Sequence, residues 1–352
     1  MKPAQTPSYN WHQTYDWNYE HVPEPQAHIE PVVPGQWNFC GLPVGSPLGI
    51  AAGPLLNGRW ILYYAALGFD VLTYKTVRSR HRACYPLPNL QPIAAPSVHG
   101  GEDVVGVSTA MRGSWAVSFG MPSKSPDVWR ADVEETRRAL PKGKILSVSV
   151  VATPENDWTL DEVAEDFARG AEWAVESGAD CVEANFSCPN VASADGQLYQ
   201  QPGAASRVAA RLSQAIGDKP LLIKIGHVTD ENLAAALVES VAPHASALVL
   251  VNCISAKVGD GKTLLFDGQR RGIAGEAIRE AAVEQVRLFA RVIARHAPAL
   301  RIVGVGGIAT ASHVRAHLDA GAHAVQLATS AMLNPGVGLG IRGELARPSP
   351  PT

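Results

Sequence analysis

Apolar runs typical of buried strands recur eight times along the chain, and stretches with helical spacing lie between most of them. The runs lie at 46–54, Val71–Lys75, Ile145–Val151, Cys181–Phe186, Leu221–Ile225, Ala247–Asn252, Ile302–Val305 and Ala324–Ala328. The helical stretches are Trp60–Leu67, Leu160–Glu176, Ala205–Ile216, Glu231–Val241, Glu276–Arg295 and Ala311–Ala320, and Thr159 and Thr310 are their clearest N-caps. This alternation predicts an α/β fold, a (β/α)8 TIM barrel, although a doubly wound parallel sheet fits the same pattern.

Two segments interrupt the alternation. Residues 1–46 show neither a period of 2 nor of 3.6, which predicts an irregular N-terminal arm that wraps the body. Residues 76–143 do not continue the alternation cleanly, because prolines and polar turns break up the stretch between Arg78 and Gly113. This predicts a long insertion after strand 2 that covers the site. We therefore expect one barrel domain over residues 47–340, including the insertion, and a disordered tail over 341–352.

Composition narrows the class of protein to a soluble α/β enzyme. The 352 residues are 46% hydrophobic with 32 glycines, and the net charge of −3 comes with scattered basic residues that suggest no nucleic-acid partner. Five cysteines without a CxxC pair argue against a disulfide scaffold or a metal site. No signal peptide and no membrane span are predicted, so we expect a cytoplasmic protein.

The strand Cys181–Phe186 ends in the most distinctive stretch of the chain. Alternation directs Glu183, Asn185 and Ser187 to one face, and Pro189 then ends the strand. A polar inner face followed by a loop with the thiol of Cys188 is how a β/α barrel builds a site. The alternative is a cysteine buried as a small apolar residue.

Other strand ends carry polar residues too. Lys75, Lys224 and Asn252 interrupt apolar runs near their carboxyl ends, and a buried ammonium needs a partner or a ligand. Lysines that reach out at the rim of the barrel are the alternative. The last two strands end in Gly306-Gly307 and Thr329-Ser330, a pairing that predicts a phosphate site between the closing loops. The alternative is that Gly306 and Gly307 serve only a tight turn.

These residues carry a family resemblance over 46–336. The chain resembles the dihydroorotate dehydrogenase family of FMN barrels, including the related domain of dihydropyrimidine dehydrogenase. Asn185-Phe-Ser-Cys-Pro-Asn190 is similar to the family's most specific motif. The other matching positions, in order, are Ala51-Ala-Gly53, Lys75, Lys224, Asn252, a turn at Gly272-Ile-Ala-Gly275, Gly306-Gly307 and Thr329-Ser330.

The resemblance implies an FMN-dependent dehydrogenase acting on a CH–CH group, which oxidises (S)-dihydroorotate to orotate in pyrimidine biosynthesis. It implies hydride transfer to flavin N5, with Cys188 as the general base that the soluble members use. The implied cofactor residues are Ala51, Ala52, Gly53, Lys75, Asn185, Lys224, Asn252, Gly275, Gly306, Gly307, Thr329 and Ser330. The implied substrate residues are Lys75, Asn185, Asn190, Asn252, Cys253, Phe119, Gly120 and Met121.

Two departures from the family concern the substrate. Val117 begins the segment Val117-Ser-Phe-Gly-Met-Pro-Ser123 where the family has an Asn that bonds the substrate, and Cys253 stands where it has Ser or Thr. A lost polar contact can change discrimination by orders of magnitude. The first alternative is therefore the same flavin chemistry on another dihydro-heterocycle or an enone. The second is a flavin-free, phosphate-binding aldolase or lyase with Lys75 or Lys224 as the Schiff base.

The electron acceptor is left open by the sequence. Quinone-using members of the family carry an apolar helical extension, which residues 1–46 do not resemble. The runs of cysteine that iron–sulfur clusters need are absent, so such a cluster would belong to a partner. Fumarate, NAD through a partner and other acceptors all fit. The resemblance also implies a homodimer that takes a small-molecule substrate.

Overall fold

The computed structural model describes residues 7–155, 158–187 and 197–347. Its strands are β1 (Trp37–Phe39), β2 (Leu42–Val44), β3 (Leu48–Ile50), β4 (Val71–Val77), β5 (Leu90–Pro92), β6 (Val104–Gly106), β7 (Ser114–Val117), β8 (Ile145–Val150), β9 (Cys181–Asn185), β10 (Leu221–Lys224), β11 (Ala247–Leu250), β12 (Ile254–Gly259), β13 (Arg271–Gly275), β14 (Arg301–Val305) and β15 (Ala324–Leu327).

The helices, likewise numbered in chain order, are α1 (Tyr15–Glu20), α2 (Gly58–Ala65), α3 (Pro126–Ala139), α4 (Leu160–Glu176), α5 (Pro202–Ile216), α6 (Glu231–Val241), α7 (Arg279–His296), α8 (Ala311–Asp319), α9 (Thr329–Leu333) and α10 (Val337–Leu345). Short 3₁₀ turns lie at Leu198–Gln200, Phe266–Gly268 and Glu276–Ile278. None of the helices in the described ranges is both long enough and apolar enough to cross a bilayer.

Eight parallel strands close into a barrel in the order β3-β4-β8-β9-β10-β11-β14-β15, and β15 returns to pair with β3. These strands are the eight apolar runs of the sequence, so the structure confirms the (β/α)8 barrel over the doubly wound sheet. Their residues are buried almost without exception because the side chains pack inside the barrel or under the helices. The predicted N-caps are present, and Thr159 forms a complete capping box with Glu162.

The amino-terminal end of the barrel is closed by a hairpin and an ionic cluster. β1 and β2 form the hairpin, from which Phe39 packs among the first residues of the barrel strands. Beneath it, Asp70 accepts from Arg342 at 2.9 Å and contacts Lys144 at 3.3 Å, and Lys144 also pairs with Glu30 at 2.7 Å. Arg342 belongs to α10, so the tail predicted to be disordered from residue 341 is instead helical through Leu345.

A second sheet lies beside the barrel, with the strand order β5-β7-β13-β12-β6. Three of its strands come from the predicted insertion, but β12 and β13 come from the segment after β11, which the sequence did not reveal. The predicted turn at Gly272–Gly275 is therefore wrong, because these residues lie in β13 and pair with β7. Within 76–143, α3 is a regular helix, and Asp132 on it accepts from the Gly58 N–H that begins α2.

The N-terminal arm has more regular structure than expected. Besides the hairpin it contains α1, which Thr14 caps by accepting from the Trp17 N–H. The arm is fixed to α2, since Trp60 donates to the Asn18 carbonyl at 2.9 Å and Asn57 donates to the Tyr19 carbonyl at 2.8 Å. The prediction of an irregular arm is thus wrong for these stretches.

Candidate active site

The predicted site residues gather where the parallel strands end. Lys75 lies in β4, Asn185 and Lys224 are the last residues of β9 and β10, and Asn252 follows β11. Ala51, Ala52 and Gly53 follow β3, Gly306 and Gly307 follow β14, and Thr329 and Ser330 begin α9 after β15. Because all these strands are parallel, their carboxyl ends meet at one mouth of the barrel.

A chain of hydrogen bonds joins two of the amides. The Asn252 side chain donates to Ser187 Oγ, and Ser187 Oγ donates to Asn185 Oδ1 at 2.7 Å. The Asn185 amide nitrogen in turn contacts Met121 Sδ at 3.4 Å. The two asparagines are therefore held in fixed orientations and, through Met121, connected to the insertion. Ser187 was not predicted as a site residue, although alternation put it on the same face as Asn185.

Lys224 is buried and paired. Its Nζ lies 3.3 Å from Glu183 Oε1, and both side chains are almost fully buried, at 2% and 0% exposed. The other carboxylate oxygen, Glu183 Oε2, has no hydrogen-bond partner among the described residues. Burial raises the pKa of the Cys253 thiol to about 11, and the nearby Lys224 ammonium opposes that shift. A compact buried cation thus sits beside Cys253, with one compensating charge.

Lys75 also faces a thiol that sequence reasoning did not associate with the site. The lysine is 7% exposed, and it lines a cleft with Tyr15, Tyr19 and Tyr74. Burial raises the pKa of Cys84 to about 11, partly offset by the Lys75 ammonium. No feature of the sequence around residue 84 pointed to this proximity, because it arises from the path of the irregular segment that follows β4.

The 117–123 loop carries the predicted substrate contacts Phe119, Gly120 and Met121. Gly120 has a φ of 72°, and a Cβ there would lie 2.6 Å from the Tyr85 ring, so only glycine fits. The Phe119 ring meets the rings of Tyr9 and Tyr15 edge-on at centroid distances of 6.5 Å. The arm therefore packs directly on this loop.

Val117 pairs with Gly272 of β13, and a Cβ at Gly272 would lie 2.7 Å from Cys253 Cβ. The glycine is thus required by close packing against Cys253. Neighbouring Ser118 points to the other face of the sheet, where it accepts from Arg271 Nε at 2.8 Å. Arg271 therefore lies on the face opposite Val117 and Gly272.

The loop after β14 has backbone conformations that favour glycine, and α9 is tied to it. Gly306 and Gly307 have φ values of 132° and 65°, and Ser330 Oγ donates to the Ile308 carbonyl at 2.5 Å. Gly275, with a φ of 103°, would place a Cβ 2.2 Å from the Gly113 carbonyl, so it serves the packing of β13 on the insertion.

Two predicted residues, Cys188 and Asn190, lie outside the described residues. Elsewhere in the described ranges, no group of three or more His, Cys, Asp or Glu side chains could hold a metal ion.

Comparison with known proteins gives consistent matches. The sequence model for dihydroorotate dehydrogenase matches residues 36–347. The chain is 28% identical over 367 residues to dihydroorotate dehydrogenase of Dictyostelium discoideum, covering 95% of this chain and 96% of the relative. It is 25% identical over 328 residues to the quinone-type enzyme of Ralstonia nicotianae, covering 90% and 86%.

Two further matches complete the comparison. The NAD(+)-type dihydroorotate dehydrogenase B catalytic subunit of Maridesulfovibrio salexigens is 32% identical over 206 residues, covering 55% of this chain and 65% of that subunit. The crystal structure of the Eimeria tenella enzyme in complex with ferulenol has a TM-score of 0.71 at 17% identity, covering 88% of this chain and 83% of that one. The structural match establishes likeness of fold.

Proposed function

Because the chain belongs to the dihydroorotate dehydrogenase family, whose members are FMN-dependent oxidoreductases acting on a CH–CH group, we propose that it oxidises (S)-dihydroorotate to orotate in pyrimidine biosynthesis. The observation that carries the proposal is the juxtaposition of a buried ammonium with oriented amides at the barrel mouth. Lys224 supplies the ammonium, and Asn185 and Asn252 supply the amides.

The residues present fit FMN. An isoalloxazine ring gains negative charge on reduction, and the buried ammonium of Lys224 is the type of group that stabilises such charge. A phosphate monoester needs backbone N–H groups that approach it closely, and the positive φ values of Gly306 and Gly307 allow that approach. Lys75, Asn185 and Asn252 would hold the remainder of the cofactor, with Ala51, Ala52, Gly53, Thr329 and Ser330 around it.

FMN, when bound, supplies the acceptor for the electron pair that leaves the substrate. The Asn252–Ser187–Asn185 chain orients an amide- or imide-like ring by fixing where each side chain donates and accepts. In this proposal the thiolate of Cys188 takes the proton from the carbon next to the one that loses the hydride, and the thiolate becomes a thiol. The support for Cys188 is its place in the family motif, three residues after Asn185.

Anaerobic mixing of the FMN-loaded protein with dihydroorotate tests the proposal. We expect the visible flavin absorbance to bleach, and Cys188→Ala to slow this bleaching by at least about 10²-fold while FMN stays bound. Cys40→Ala, at the opposite end of the barrel, is the control. Unchanged bleaching in Cys188→Ala would remove Cys188 from the mechanism, and a protein that binds no FMN would leave the aldolase alternative.

A second candidate function is favoured by Val117. An aliphatic side chain at this position cannot bond a polar substituent, so the same chemistry on a neutral dihydro-heterocycle is the alternative. This alternative predicts that 5,6-dihydrouracil bleaches the flavin faster than dihydroorotate. It also predicts that Val117→Asn speeds bleaching by dihydroorotate at least about tenfold. Val107→Asn is the control, because Val107 follows β6, an edge strand of the same sheet. Faster bleaching by dihydroorotate in the unmodified chain would reject it.

The remaining parts of the proposal concern the electron acceptor, the cellular location and the oligomeric state. Relatives are named for quinone and for NAD(+), so the acceptor is to be identified by stopped-flow reoxidation with menadione, fumarate and NAD(+) in turn. We further propose a cytoplasmic homodimer, supported by the composition and the family resemblance. Light scattering of the FMN-loaded chain during size-exclusion chromatography tests the dimer.

A further inference from the structure

The turn after β14 is held by three side chains on three different helices. His317 Nε2, on α8, lies 3.2 Å from the Gly306 carbonyl oxygen. Arg279 Nε, at the start of α7, donates to the Gly307 carbonyl at 2.9 Å, and Ser330 on α9 donates to the Ile308 carbonyl. Three successive carbonyls are therefore fixed, which a turn needed only to reverse the chain would not require.

We propose that His317 and Arg279 are positioning residues for the phosphate of FMN, because by holding the carbonyls of Gly306 and Gly307 they direct the N–H groups of Gly307 and Ile308 into the barrel mouth. In a planar trans peptide the N–H points opposite to the carbonyl of the preceding residue. A carbonyl held toward α7 or α8 therefore turns the next N–H away from the outer helices. Neither N–H has a backbone acceptor within the described residues. The inference rests on the proposed FMN function.

The tautomer of His317 follows from its surroundings. The side chain is fully buried, and burial lowers its pKa to about 4, so the ring is neutral at pH 7. Since the Gly306 carbonyl can only accept, Nε2 must carry the proton and Nδ1 must be bare. Nδ1 indeed has no partner among the described residues, and a Cβ at Gly304 would lie 2.6 Å from it.

Close packing holds the Cα atoms of the turn in place but leaves the orientation of the Gly306 peptide to its hydrogen bond with His317. A Cβ at Gly306 would lie 2.6 Å from Ala282 Cβ, and one at Gly307 would lie 2.5 Å from Arg279 Cβ. The turn therefore rests on the first turns of α7. Arg279 is itself held by Glu276, whose Oε1 accepts from Nη2 at 2.8 Å. A change at His317 is thus expected to release the Gly306 peptide without moving the strand.

Comparing the binding of FMN with that of riboflavin, which lacks the phosphate, isolates the contribution of the phosphate site. Both flavins are titrated into apo-protein, and quenching of flavin fluorescence gives the two dissociation constants. We expect His317→Leu to weaken FMN binding about tenfold while riboflavin binding changes less than about twofold. His317→Gln, whose amide can still donate, should stay within about threefold of the unmodified chain for both flavins.

Further variants keep the test decisive. Arg279→Ala should also lower the preference for FMN, and it covers the case in which His317→Leu does not fold. His296→Leu is the matched control, because His296 lies at the other end of α7, about 25 Å from Arg279 along the helix. Equal weakening of both flavins, or no change of either, in His317→Leu and Arg279→Ala would overturn the inference. An unmodified chain that binds neither flavin would overturn the proposed function itself.

Discussion

Replacing Glu183 with Gln tests how the buried charge at the barrel mouth is tolerated. The substitution keeps the shape of the side chain and removes its charge, so the ammonium of Lys224 is left buried without a counter-ion. Only one carboxylate oxygen is engaged, because Oε2 has no partner in the described part of the chain. The Lys224 pair therefore provides the main compensation for burying Glu183.

The distance sets the expected magnitude. Two unit charges separated by 3.3 Å attract by about 5 kcal/mol at an effective dielectric constant of about 20. Removing one partner of such a buried pair typically costs about 3–5 kcal/mol of folding free energy. Removing both charges costs much less, because no unpaired charge remains buried. Glu183→Gln combined with Lys224→Met should therefore be more stable than Glu183→Gln alone.

Urea unfolding of the apo-protein at pH 7 measures these differences, since bound FMN would add its own stabilisation. The four members of the cycle are the unmodified chain, each single variant and the double variant. Glu165→Gln is the control, because it breaks an exposed pair with Arg211 and should cost less than about 1 kcal/mol. A Glu183→Gln loss below 1 kcal/mol, or additive losses in the double variant, would refute the reasoning.

Two further predictions concern stability. The pKa of His317 is lowered from 6.5 to about 4 by burial, so between these values the unfolded chain binds a proton that the folded chain does not. Acidification from pH 7 to pH 4 should therefore lower the free energy of unfolding by up to about 3 kcal/mol through this residue. In His317→Gln, the free energy of unfolding measured with urea should fall less steeply over the same pH range. Asp70→Asn should cost about 3–5 kcal/mol because it leaves Arg342 and Lys144 under-compensated. A midpoint unchanged in Asp70→Asn would show that the cluster relaxes.

The barrel could be predicted because its strands are buried on both faces. Such strands read as continuous apolar runs, and polar residues at their ends, such as Lys224 and Asn185, then stand out. The second sheet could not be predicted, because its strands are short and pair across long stretches of sequence, as Val117 does with Gly272. Gly272 was interpreted as a turn residue, whereas a glycine is needed there because Cys253 packs too closely for a Cβ atom.

The supports of the site were also hidden from the sequence. His317 lies in a helix that also carries His313, Arg315 and Asp319, so the sequence suggests a surface residue, yet the fold turns it inward to a carbonyl eleven residues earlier. The packing of Tyr9 and Tyr15 on Phe119 joins positions that no local pattern connects. In both cases the contact is tertiary, so it leaves no period in the sequence to find.

The seam between the first and last barrel strands bears on how the chain is made. Because β15 pairs with β3, a ribosome must deliver residue 327 before the cylinder can shut, and until then both borders of the growing sheet present unpaired backbone groups. Arg342 is delivered later still, and only then does Asp70 gain its guanidinium partner. During nearly all of its synthesis, the nascent barrel therefore has unpaired edge strands that other chains could pair with.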